Sequence, residues 1–369
     1  MWRRSGKSIP PMPGTWLISS VLFLSLLMVP AANQAAGRQH EIQLRRNDYM
    51  RVPAPAQLQR AELSKAILRV FSDDERKGGL YFNSGLFPVV RPALQQWTRE
   101  FASGPVSLWA WMGTRKFAWL DHAGLLDTDW SERKPRLIPK LDLFNPQAQD
   151  LIIKLFAQLA HQPVQGILVQ DDLTLLSGEG LSNWGKASFT RASGLAADPK
   201  RMLTEGSLHN RAWEDLKVGR VVETLSKLVT ACRQANPAIQ IGLNVHYEAP
   251  LTPQRARSWY AFDARVLNTA GVDLFYLMAY HRQIKAEMKL LEGDSRIYFR
   301  LMLEAALKFW GNKLAVKLQV RDWQTSELIP FSELKTYYDL IPAGVERVCF
   351  AAADPEDIPL IVKIIGPAN

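Results

Sequence analysis

The sequence predicts a single-domain (β/α)8 barrel of the TIM-barrel-like class, and three observations carry that reading. Short apolar runs alternate with longer amphipathic ones along most of the chain. The short runs are near-continuously apolar, as expected of strands buried on both faces of a parallel sheet. No G-x-G-x-x-G turn follows any of them, which speaks against a doubly wound dinucleotide-binding sheet.

Taken in order, residues 1–37 read as a secretory signal: Arg3, Arg4 and Lys7, then the apolar run Trp16 to Val29, then small residues around Val29–Ala31 or Ala35–Gly37. The run is about fourteen residues long, short of the roughly 20 needed to span a bilayer as a helix. No stable membrane span is expected once it is cleaved; the alternative is an uncleaved anchor. The bulk of the chain is expected in the periplasm or outside the cell. Residues 38–77 read as a polar approach segment, and 78–365 as the barrel.

Candidate strands are Leu80–Asn83, Val106–Trp111, Gly166–Asp171, Ile239–Val245, Leu274–Ala279, Leu314–Gln319 and Val348–Ala352, with a weaker one at Arg136–Leu141 that completes eight. On this count Gly166–Asp171 is the fourth strand. Helical patterns fill the gaps: Phe87–Phe101, Pro146–Ala160, His209–Ala235, Pro253–Thr269, Arg296–Trp310 and Phe331–Leu340. Their boundaries carry helix chemistry. Asn145 can cap the second with Pro146 in its first turn, and Asn236-Pro237 closes the third.

The formal charge is +9, and about +6 remains once the three leader cations are removed. No Lys/Arg run is dense enough to argue for nucleic acid. Cys232 falls in a helical pattern and Cys349 in an apolar run, so both read as core residues rather than a disulfide. The six histidines are scattered without ligand spacing, and no metal or cofactor is implied.

In a barrel the chemistry sits at the C-terminal ends of the strands and in the loops beyond them. The residues there are Asn83, Trp109, Trp111, Asp171, Asp172, Asn244, His246, Tyr247, Tyr280, His281, Gln319, Asp322, Trp323 and Asp354, with Glu179 on the Gly-rich loop after the fourth strand. Acids, amides and large aromatics in alternation suit a carbohydrate cleft, where ring faces stack on sugars and amides or carboxylates take hydroxyls or amines. Trp109, Trp111, Tyr247, Tyr280 and Trp323 are the expected stacking platforms. Free amines would suit the clustered acids although the chain as a whole is basic. Each residue also has a plainer reading: Asp172 as a cap, Glu179 as a solvated loop acid, His246 and His281 as satisfied polar groups, Asp354 before Pro355 as a turn residue.

The ordered segments "LYFNSGLFPVV", "SLWAWMG", "GILVQDD", "IGLNVHYEAP", "YLMAY" and "KLQVRDWQ" resemble the C-terminal glycoside-hydrolase-like barrel of the PgaB family. That resemblance implies an envelope protein acting on partly deacetylated poly-β-1,6-N-acetyl-D-glucosamine, a biofilm exopolysaccharide, with an outer-membrane export porin as a possible partner. PgaB-type proteins usually carry a zinc deacetylase domain as well, for which there is no room before Leu80. The family strand matching "GILVQDD" typically reads F-H-D-D, followed by a loop of the form S-D-x-E-D. Here Gln170 takes the histidine position, Ser177 and Glu179 are kept, and Gly178 and Gly180 stand at acid positions.

Glycoside hydrolysis needs a proton donor for the leaving oxygen and a base or nucleophile opposite it. Successive strand residues face opposite ways, so one of Asp171 and Asp172 should face the cleft while the other caps or binds a loop amide. By alternation Asp171 shares the direction of Ile167 and Val169. Glu179 is the expected second carboxylate, unless the substrate's acetamido group serves as nucleophile. Two other outcomes stay open: a non-catalytic polysaccharide-binding or export module, and a hydrolase for another polysaccharide.

Overall fold

The structure is a computed structural model that describes residues 37–44, 52–72, 74, 76–117, 119 and 123–366. The leader, apart from Gly37, lies outside them. Eight parallel strands close a barrel: β1 (Gln39–Leu44), β2 (Leu63–Arg69), β3 (Ser107–Met112), β4 (Gly166–Val169), β5 (Gln240–Val245), β6 (Leu274–Met278), β7 (Leu314–Gln319) and β8 (Arg347–Ala353). Each pairs with its chain neighbour, and β8 returns to β1 through Val348↔His40 and Phe350↔Ile42. Among the described residues no helix is long and apolar enough to cross a membrane.

Two boundaries differ from the sequence reading. The barrel begins at Gln39, inside the expected approach segment, and Leu80–Asn83 is not one of its strands. β1 and β2 escape a hydrophobicity reading because most of their inward positions, Ile67 excepted, are polar. Glu41 and Lys65 form an ion pair at 2.8 Å inside the barrel, and Tyr276 closes the group by donating its hydroxyl to Glu41 at 2.7 Å. Gly79–Leu80 instead forms a small hairpin with Phe71–Ser72. Arg136–Leu141 pairs antiparallel with Leu126–Asp129, in an insertion between β3 and the helix Pro146–Ala160. Counting strands from Gln39 still makes Gly166–Val169 the fourth.

The barrel interior is filled by Ile67, Trp109, Leu168, Leu274, Tyr276, Ala315 and Cys349. Trp109 fits only because its neighbours are glycines: a Cβ on Gly166 would stand 2.3 Å from its ring, and one on Gly242 3.0 Å. The other strand faces, including Ile167, Val169, Leu243 and Leu318, pack against the helical layer. Helices Pro146–Ala160 and Leu208–Ala235 supply Ile152, Leu155, Phe156, Leu225, Leu228 and Cys232 to that layer. Asn145 caps the first by accepting the Gln147 amide at 2.9 Å. Both cysteines are buried and free.

Candidate active site

Asp171 and Asp172 follow directly on β4, and the structure separates their roles. Asp172 is buried and accepts four donors: the Thr114 amide and hydroxyl at 2.9 and 2.8 Å, and the Arg115 and Lys116 amides at 2.8 Å each. It therefore folds the loop after β3 around its carboxylate, and no oxygen is left to act on a substrate. Asp171 is partly exposed, and no other described residue hydrogen-bonds or ion-pairs with its carboxylate. Desolvation in the barrel mouth raises its pKa, while the charges of Lys317, Lys116 and Lys140 pull it back. Alternation does not orient it, since Ile167 and Val169 face the helices and the strand has ended before it turns toward Lys317.

Glu179 is not a free loop acid. Its carboxylate is buried between Arg115 Nη1 at 3.0 Å and the Lys140 ammonium, and these cations hold its pKa below the usual range against the opposing effect of burial. Arg115 is itself fully buried and also bonds Asp127 at 2.5 Å and the Leu141 carbonyl at 2.8 Å. This network ties the loop after β4 to the Leu126–Leu141 hairpin. Gly180, with φ of +86°, donates its amide to Asp127, and a Cβ there would lie 2.9 Å from Phe144. At Gly178 a Cβ would meet Asp129 Oδ1 at 2.4 Å. No acid fits at either position.

The remaining expected residues divide. Asn244 and Gln319 face inward at the strand ends, with Tyr280 half-buried close above. Asn244 Oδ1 accepts the Lys317 ammonium at 2.8 Å, and that ammonium stands 5.8 Å from the Tyr280 ring centre. Trp111 is half-buried on the end of β3, and Trp323 is half-exposed on the loop after β7. Both remain available as sugar platforms. Trp109 is not, being 1% exposed in the core under Lys65.

Tyr247 is buried with its hydroxyl donated to Glu287 at 2.9 Å. His246 stacks on Tyr260 at 4.0 Å. His281 is buried against Tyr337, with Nε2 2.9 Å from Glu333, at the edge of an 860 Å³ cavity between the helices His281–Met288 and Phe331–Asp339. Asp354 caps the turn after β8 and pairs with Arg321 at 3.3 Å. Asn83 is exposed beside Gln158 and His161, at the far end of the helix Pro146–Ala160 and away from the strand ends. Among the described residues no cluster of His, Cys, Asp or Glu is arranged to hold a metal.

The residue missed from sequence is Lys317. It lies buried on the inward face of β7, and burial lowers its pKa to about 8. A lone lysine inside the apolar run "LAVKLQV" was the available signal.

Comparison with known proteins agrees with the fold. The chain matches the glycoside hydrolase domain of PgaB (BpsB) from Bordetella bronchiseptica with a TM-score of 0.74 at 19% identity, over 90% of this chain and 99% of that domain. The β-galactosidase of the psychrophile Marinomonas ef1 superposes with a TM-score of 0.61 at 12% identity, over 89% of this chain and 59% of the enzyme. That of the Antarctic haloarchaeon Halorubrum lacusprofundi gives 0.60 at 10%, over 89% of this chain and 57% of the enzyme. At such identities the likeness is one of fold. No curated protein sequence matches the chain. A family model described as hypothetical glycosyl hydrolase family 13 matches residues 56–350, well over half of the sequence, and the chain belongs to that family of glycoside-hydrolase type.

Proposed function

We propose that this protein is an exported hydrolase of partly deacetylated poly-β-1,6-N-acetyl-D-glucosamine, with Asp171 as its general acid. One observation carries the reading: Asp171 is the carboxylate at the strand ends that no other described residue engages, and it lies in a mouth that also presents Trp111, Asn244, Tyr280 and Gln319. A raised pKa suits a group that must hold a proton near neutral pH and give it to a leaving oxygen. The substrate class rests on the fold shared with the PgaB glycoside hydrolase domain, and the periplasmic or secreted location on the leader at residues 1–37.

With Asp172 and Glu179 both engaged, no second carboxylate among the described residues stands both partly exposed and unbonded beside Asp171. Among the described residues the role of a paired carboxylate as nucleophile or base is therefore unfilled. The acetamido carbonyl of an N-acetylglucosamine unit fits the vacant role, attacking the anomeric carbon while Asp171 protonates the departing oxygen. That Asp171 is the one partly exposed and unbonded acid of the mouth among the described residues also favours a second reading, a non-catalytic module that binds the polymer and hands it to an outer-membrane porin. Incubating the mature protein with partly deacetylated polyglucosamine and following product masses separates them. Shorter oligomers that disappear with Asp171→Asn support hydrolysis; binding without cleavage leaves the module; neither result leaves another glycan.

A further inference from the structure

Two buried amides at the barrel mouth have unmet hydrogen-bonding capacity. Gln170 is 5% exposed and Gln319 1% exposed, and Oε1 of each has no hydrogen-bond partner among the described residues. Their directions follow from the strands. The Gln170 backbone N–H donates to the Met112 carbonyl at 2.9 Å, extending the β4–β3 ladder one residue past Val169, so Gln170 shares the face of Leu168 in the barrel interior. Gln319 shares the face of Ala315, which lies in the same interior cluster, and of Lys317. A buried amide oxygen without a donor costs stability, and proteins retain such groups where a ligand supplies the missing partner.

Lys317 stands on the same face as Gln319 under the same constraint. Its buried ammonium has three donors, and Asn244 is its one hydrogen-bond partner among the described residues. Three inward-facing side chains, at the C-terminal ends of β4 and β7, thus carry open polar capacity at the end of the barrel where Lys317 acts on Asp171 and stands 5.8 Å from the Tyr280 ring centre. A lysine ammonium there repels a second cation, whereas hydroxyls and amide groups satisfy all three side chains.

We infer that Gln170 and Gln319 are specificity-determining residues that take the hydroxyl or amide donors of an uncharged sugar ring in the floor of the mouth, and that Lys317 excludes a free-amine sugar from that position. This rests on the sugar-binding reading above and gives the preferred unit its charge state.

The test pairs stability with binding, in the mature protein and in Gln170→Leu, Gln319→Met, Gln319→Leu and Lys317→Met. Because the side-chain amides make no hydrogen bond among the described residues, thermal midpoints of the three glutamine variants should equal or exceed that of the wild type. Affinity for a fully N-acetylated β-1,6-glucosamine pentamer, measured by calorimetry, should fall at least tenfold. The wild type should bind this pentamer more tightly than its fully deacetylated counterpart, and Lys317→Met should narrow the gap. A midpoint lowered by several degrees in the glutamine variants means that the amides serve the fold, and overturns the inference. So does a wild type that prefers the deacetylated pentamer. If the wild type binds neither pentamer, the polyglucosamine reading fails by itself, and the midpoints still decide the amides: unchanged or raised values sustain their role toward another uncharged ligand, and lowered values overturn it.

Discussion

Asp172 Oδ1 accepts both the amide and the hydroxyl of Thr114, at 2.9 and 2.8 Å, so this carboxylate folds a loop while its neighbour Asp171 stays open. The two acids should respond oppositely to the same change. Asp171→Asn should leave the unfolding free energy within about 1 kcal/mol, since no other described residue bonds its carboxylate, and remove hydrolysis by at least a hundredfold. Asp172→Ala strands the buried amides of Thr114 and Arg115 and the part-buried amide of Lys116, and should cost about 3 kcal/mol or more. Urea unfolding and product formation, measured on both, check this; equal losses of stability would contradict it.

Much of the barrel was readable from the chain. Helices such as Pro146–Ala160 announce themselves by apolar spacing and a capping asparagine, because their packing faces one way. β1 and β2 were not readable, because the interior of this barrel holds Glu41, Lys65 and Tyr276 as a bonded group, and such inward polar positions look like a surface segment in one dimension. At the mouth, sequence located Asp171 and Asp172 but could not divide their work, since the donors to Asp172 come from residues 114–116, more than fifty positions away. Glu179 was misjudged for a related reason: Arg115 and Lys140 are remote in sequence and adjacent in space.

Glu179 therefore predicts a stability effect that depends on pH. Its folded pKa lies below the unfolded value, so its contribution is complete above the ordinary glutamate pKa of about 4.3 and is lost as pH falls through the lower folded pKa. Glu179→Gln leaves Arg115 buried beside a neutral partner and should cost about 3 kcal/mol at pH 7. Denaturant midpoints of wild type and variant should converge below pH 4. A gap that persists unchanged at pH 3 would contradict the ion-pair account.

Lys317 predicts the opposite slope. Its folded pKa of about 8 lies below the ordinary lysine value of 10.5, so the unfolded chain binds more protons between those values and stability rises with pH across that window. The free-energy gap between wild type and Lys317→Met should change in favour of the wild type by about 3 kcal/mol from pH 7 to pH 10.5. The change in gap is the quantity to measure, since constant packing terms cancel. A gap independent of pH would mean that Lys317 is not held in a depressed state.

The two classes of tryptophan should separate cleanly. Trp109→Ala empties the barrel centre between Gly166 and Gly242 and should cost about 3–5 kcal/mol. Trp323→Ala removes a half-exposed ring on the loop after β7 and should shift the thermal midpoint little while raising KM several-fold for an oligosaccharide substrate. An unchanged KM would remove Trp323 from the cleft.

Restoring the acid that PgaB-type loops carry is the sharpest test of how this loop works. Gly180 has φ of +86°, and a Cβ there would stand 2.9 Å from Phe144 and 3.1 Å from Trp213. Gly180→Asp also brings a carboxylate toward Asp127, whose pKa is already raised to about 7 by burial and by neighbouring acids, against the pull of Arg115. Backbone strain, overpacking and like charge act together, so the substitution should cost about 3 kcal/mol and lower activity. If Gly180→Asp instead folded with wild-type stability and cleaved faster, the loop would have to adopt another conformation with substrate bound, and Glu179 would return as a candidate second carboxylate. Unfolding midpoints and cleavage rates of this one variant decide between a fixed loop that keeps Glu179 engaged and a mobile one that frees it beside Asp171.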